Sequence, residues 1–140
     1  MYEGSVVIGL ENMDFPKIAS MLSKAYWCLG IGVEEVRQAA ANSALVAGVR
    51  LSGQQLAYAR VISDKTRFAY LCDVIVDEDF RGRGMATAMV EAILAHEELR
   101  DVYQWCLVTT DAQPLYAQCG FAPLSRPEKW MEIRRPRPER

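Results

Sequence analysis

Residues 71–94 read LCDVIVDEDFRGRGMATAMVEAIL. A β-type apolar run gives way to acids, then to two arginines interleaved with two glycines, then to a helical pattern. Met85, Met89, Ala92, Ile93 and His96 recur at i, i+4, i+7, i+8 and i+11, one face of an amphipathic helix. A strand that feeds a helix through glycine constrains the chain to α/β packing. It also constrains the turn. The first N–H groups of a helix have no partner inside it, and the helix dipole adds positive charge there. Glycine lets the backbone approach an anion closely, and arginine adds phosphate-shaped donors. Arg81, Gly82, Arg83, Gly84, Met85 and Ala86 therefore read as a cradle for phosphate or pyrophosphate. The plainer reading is a solvated basic turn.

The remaining pattern gives an order of elements. Residues 5–10 form a short apolar strand, and Asn12 or Asp14 can cap the helix that carries Ile18, Met21, Leu22 and Ala25. A second helix spans Val33–Ala41, with Glu34 and Glu35 at its start. SALVAGVRLSGQQLAYARVISD reads as a hairpin around a glycine turn. TRFAYLCDVIV and WCLVTT are further strands. A short helix through Gln118 follows, with Asp111 as its candidate cap, Pro114 in its first turn and Gly120 past its end. FAPL and KWMEIR are expected to pair as closing strands. The ending RRPRPER is rich in proline and charge and is expected to be a mobile tail. One mixed α/β domain over residues 1–134, followed by a tail at 135–140, is the expected organisation.

Composition narrows the function classes. At 140 residues, 51% hydrophobic and 24% charged, the chain can bury a core and is not a disordered segment. With 16 basic and 18 acidic residues, the formal net charge is −2, which argues against a nucleic-acid partner. Cys28, Cys72, Cys106 and Cys119 form no CxxC pair, and His96 is the only histidine, so no metal site is expected. Buried reduced cysteines, no signal-like opening and no long apolar span suggest a soluble cytoplasmic protein. His96 reads as structural, favoured as a cation near the end of its helix. The P-loop pattern is absent, and the dinucleotide pattern fails at Thr87, where a third glycine is required.

RGRGMA fits the signature Q/R-x-x-G-x-G/A, with Arg81, Gly84 and Ala86 in the specified places. The preceding LCDVIV and the downstream DAQPLYAQCGF, which fits A-x-x-L-Y-x-x-x-G-F, complete a pattern that resembles the GNAT family of N-acetyltransferases. The resemblance covers roughly residues 5–134 and is strongest over 73–121. It implies a mostly antiparallel central sheet with one splayed parallel pair, flanked by about four helices. It implies acetyl-CoA as cosubstrate, with the backbone of Val74, Ile75 and Val76 along the pantetheine arm and residues 81–86 around the pyrophosphate. Tyr116 matches the tyrosine that in this family often serves as the acid for the leaving thiolate.

Direct transfer to a primary amine, of a small molecule or a protein, is the implied reaction. An amine of pKa about 10.4 is neutral in only about one part in 10³ at pH 7, so a base or a water path to one is expected. Asp73, at the strand crossing, and Asp111, past the fifth strand, are both candidates. Tyr26 and Trp27 are candidates for the acceptor pocket, with Asp111 beside them. The alternative is an acyl-CoA-binding module of the same fold that does not turn over. A homodimer is possible in either case.

Overall fold

The computed structural model describes residues 4–140, so the first three residues of the expected domain lie outside the described residues. Nine principal elements follow in the order β1 (Ser5–Ile8), α1 (Phe15–Leu22), α2 (Val33–Ala41), β2 (Leu45–Leu51), β3 (Gln54–Ser63), β4 (Phe68–Val76), α3 (Met85–Leu94), β5 (Gln104–Cys106) and α4 (Gln113–Gln118). The sheet has the order β1-β2-β3-β4-β5. β1 through β4 run antiparallel, and β4 and β5 are parallel. This is the mixed α/β class expected from the sequence, with four α-helices.

Alternation along the strands divides the core between the two faces of the sheet. Leu45, Ala47 and Val49 of β2, and Ala57, Ala59 and Val61 of β3, pack with Met85, Met89, Val90 and Ile93 of α3. Val46, Tyr58 and Ile75 point the other way, against Ile18, Leu22, Val36 and Ala40 of α1 and α2. Burying each large apolar side chain contributes about 1.5–3 kcal/mol. The β2–β3 hairpin turns through Ser52 and Gly53, at φ 51° and 78°. Two left-handed residues in a two-residue loop match the twist of the strands they join.

One buried polar side chain ties the layers together. Gln55 is fully buried; its Oε1 accepts from the Asp14 N–H at 2.7 Å, and its Nε2 donates to the Ala57 carbonyl at 3.0 Å. Asp14 in turn caps α1, accepting from the Lys17 N–H at 3.1 Å. Gly48 makes room, since a Cβ there would meet Gln55 Nε2 at 2.5 Å.

The structure departs from the sequence expectations toward the C-terminus. WCLVTT forms a ladder only up to Cys106. FAPL and KWMEIR form no strand, and Met131 and Ile133 are exposed. Apolar alternation makes a strand only where an edge accepts it, and these segments do not pair with the outer edge of β5. Asp111 does not cap α4: Ala112 holds that position, and its N–H donates to Thr109 Oγ1. α3 ends at Leu94, so His96 instead caps the short turn Glu97–Leu99, its Nδ1 accepting from the Glu98 N–H. The terminal residues, expected to be free, reach α2: Arg140 donates two hydrogen bonds to Glu35, at 2.7 and 3.2 Å.

Candidate active site

β4 carries one residue more than its partner requires. Tyr58 pairs with Ile75 and Arg60 with Cys72, so two steps along β3 match three along β4. The extra residue falls at Asp73–Val74, and Asp73 sits at φ 55°, in the left-handed region. A bulge bends its strand. Beyond it β4 has no partner on the β5 side, since the parallel pairing ends at Tyr70 and Cys106. The edge of β4 from Leu71 to Val76 is therefore bare of any strand partner on this side, with alternate N–H and C=O groups facing the gap.

The gap opens into a cleft of about 1430 Å³. Sites for one small molecule run to about 1,000 Å³, so there is room for a long cofactor and a second substrate. Val74, Ile75 and Val76 line it, as do Arg81, Gly82, Gly84, Met85 and Ala86. Tyr26, Trp27, Asp73, Asp111 and Tyr116 also line it. Arg83 is the one sequence candidate outside this lining.

The glycine turn has the geometry of an anion nest. Gly82 and Gly84 are left-handed, at φ 78° and 83°, while Arg83 between them is not. Alternating handedness makes successive N–H groups converge on one point. No side chain caps α3, so the N–H groups of its first turn remain available to a ligand. Both arginines are folded back onto the turn itself. Arg81 Nε donates to the Val76 carbonyl at 3.2 Å, and the Arg83 guanidinium lies 4.8 Å from the centre of the Phe80 ring. The turn is also braced by Lys17 of α1, which pairs with Asp77, and by Lys24 just past that helix, which pairs with Glu78. The Lys17 hydrogen bond, helped by the Asp79 N–H, holds the Asp77 carboxyl below the usual carboxylate range.

At the strand crossing both oxygens of Asp73 are engaged. Oδ1 accepts from Trp27 Nε1 at 3.0 Å and Oδ2 from Arg60 Nε at 2.7 Å. Trp27 stands edge-on to Tyr26, with ring centres 5.0 Å apart, and Tyr26 Oη accepts from the Thr110 N–H at 3.3 Å. Asp111, the neighbour of Thr110, is exposed and forms no ion pair with the described residues. Tyr116 projects from α4 with its ring edge-on to Phe121 at 6.0 Å. Its hydroxyl has no hydrogen-bond partner among the described residues. Burial first, then Cys119 and Tyr26, push its pKa up to about 12.

Arg60, Phe80, Lys17 and the terminal arginines were not singled out from the sequence. Arg60 had a legible signal, a lone cation inside the apolar run LAYARVI. Lys17 and the terminal arginines are joined to the site only by long-range contacts.

The family model for the acetyltransferase (GNAT) domain matches residues 40–123, more than half of the chain. The protein belongs to the GNAT family. The matched stretch includes the bulged strand, the glycine turn and Tyr116. Among solved structures, a GNAT-family protein from Xanthomonas campestris pv. campestris is 36% identical, with a TM-score of 0.83 and 94% of each chain covered. A predicted acetyltransferase from Clostridium acetobutylicum, solved with acetyl-CoA, is 18% identical with a TM-score of 0.70. That comparison covers 94% of this chain and 96% of the other. Glucosamine-6-phosphate N-acetyltransferase from Arabidopsis thaliana is 17% identical with a TM-score of 0.63, covering 94% and 97%. At the two lower identities the likeness is one of fold. No curated protein matches the chain.

Proposed function

We propose that this GNAT protein moves the acetyl group of acetyl-CoA directly to a primary amine, in a ternary complex. The observation that carries the reading is the bare edge of β4 beside the left-handed glycine turn. A pantetheine arm has amide groups that pair with such an edge as a further strand would, and a pyrophosphate suits the convergent N–H groups beyond it. The Clostridium acetobutylicum neighbour solved with acetyl-CoA supports the choice of cofactor. A backbone N–H near Val74 is the donor this reading assigns to the oxyanion. No group of metal-ligating side chains occurs among the described residues.

Direct transfer is favoured over an acyl-enzyme. Cys28 and Cys72 line the cleft, but burial, with Asp73 adding to it, pushes both thiols up to about 11. At neutral pH they remain thiols, and the thiolate is the nucleophile. Because Asp73 is fully engaged, it acts as a positioning residue that fixes Trp27 against the acceptor side. Asp111 is the freer carboxylate to take the amine's proton, directly or through water. Tyr116 is the donor to the leaving sulfur. The cysteines are all free, which suits a reducing cytoplasm. β5 is an edge strand of the sheet and Trp130, Met131 and Ile133 are exposed, which suits association of two copies.

Calorimetric titration with acetyl-CoA tests the reading, with ATP and NAD as controls. Saturable binding of acetyl-CoA alone is expected, and its loss in Gly84→Glu, where bulk and negative charge enter the nest. Wild-type affinity in that variant, or no binding to folded wild-type protein, removes the cradle. Binding without thiol release in the presence of any amine would leave an acyl-CoA-binding module.

A further inference from the structure

The C-terminal segment RRPRPER is a wall of the cleft. It carries neither helix nor strand, and its prolines favour an extended chain with three residues per turn. Arg134, Arg137 and Arg140 are three apart and thus share a face, and all three line the cleft whereas Arg135 does not. Their charges are not equally matched. Arg140 is held by Glu35 and Arg134 by Glu132. Elsewhere in the lining Arg60 is paired with Asp73, Lys17 with Asp77 and Lys24 with Glu78. Arg137 donates one hydrogen bond, to the Tyr26 carbonyl at 3.1 Å, and makes no ion pair with the described residues. A guanidinium has five N–H donors, so most of its fork is uncommitted.

Tyr26 connects this cation to a carboxylate. Its backbone carbonyl holds Arg137, while its hydroxyl accepts from Thr110, next to the unpaired Asp111. One tyrosine thus bridges the segment that carries a free positive group and the segment that carries a free negative one, and both groups line the cleft. We infer that the acceptor is an amine that also carries an oxyanion, a carboxylate or a phosphate, with Arg137 as its specificity-determining residue. The ammonium faces Asp111, and the oxyanion takes the planar fork of Arg137, which matches either group. Arg140, clamped to Glu35, keeps the segment in place.

The inference rests on the acetyltransferase reading and is tested with paired amines. Initial rates with acetyl-CoA are compared for L-amino acids against their carboxamides, and for O-phosphoethanolamine against ethanolamine. One oxyanion-bearing member is expected to be favoured by about 10–100-fold in kcat/KM, the range for hydrogen bonds to a charged group. The arm that shows the preference tells carboxylate from phosphate. In Arg137→Gln the preference should collapse toward unity through a rise in KM, and Arg137→Lys should restore part of it. Equal or better use of the neutral partners, no use of any oxyanion-bearing amine, or weakened acetyl-CoA binding in Arg137→Gln overturns the inference. Failure of the wild-type protein to bind acetyl-CoA is a different result: it fells the acetyltransferase reading, and the inference with it.

Discussion

At the scale of single residues the decisive quantity is the proton on Tyr116. With its pKa pushed up to about 12, the phenol is protonated at any physiological pH. Full transfer to a thiolate whose thiol has a pKa of about 8.5 would run uphill by roughly 5 kcal/mol. In the proposed reaction Tyr116 therefore acts by donating a hydrogen bond to the sulfur as charge builds, and solvent completes the protonation. Losing a hydrogen bond to a charged group costs about 1.5–3 kcal/mol, so Tyr116→Phe should lower kcat by about 10- to 100-fold. Acetyl-CoA affinity should be nearly unchanged. Since the raised pKa keeps the phenol protonated up to about 12, the pH–rate profile should show no basic limb from this group below pH 10. An unchanged kcat in Tyr116→Phe would show that the thiolate leaves unaided. The sequence made Tyr116 legible because its L-Y-x-x-x-G-F setting is local. It left Asp73 ambiguous because the partners that occupy it, Trp27 and Arg60, are 46 and 13 residues away.

At the scale of elements, the helices and the inner strands were legible because their periodicity is enforced by burial on a known face. The ends of strands were not. β5 stops at Cys106 because the bulge in β4 carries the partner edge away, a consequence of pairing register that no local pattern encodes. The joint between β3 and α1 was equally hidden. Gln55 reads as a polar residue beside a turn, yet it is fully buried and satisfies both the Asp14 N–H and the Ala57 carbonyl. Gln55→Leu keeps the volume but leaves both backbone groups without their partner. Each such loss costs about 1–3 kcal/mol, so denaturant melts should show a destabilisation of at least about 1–3 kcal/mol. Stability equal to the parent's would mean that water or a shifted α1 start takes over both bonds.

At the scale of the whole molecule, the site belongs to no single element. The bulge opens β4 from β5, the glycine turn supplies one end, and α4 supplies Tyr116. The loop between α1 and α2 supplies Tyr26 and Trp27, and the chain terminus closes over it with Arg137 and Arg140. The part of this assembly carried by residues 71–121 is nearly continuous in sequence and was readable there. The proposed acceptor wall joins residues 26, 35 and 137, and such separations leave no trace in local pattern. A cofactor that enters as an added strand should make the two arms of the gap behave as one sheet. At about 100 times Kd, binding to the native state alone stabilises by about 2.7 kcal/mol. Hydrogen exchange with and without acetyl-CoA should show where that stability is lodged. Slowing is expected at the β4 amides from Leu71 to Val76 that face the gap and at residues 82–87. The β1–β2 pair, already laddered on the far side of the sheet, should change least. Protection spread evenly over the sheet, or absent from β4, would mean that the ligand does not lie along the bare edge, whatever its affinity.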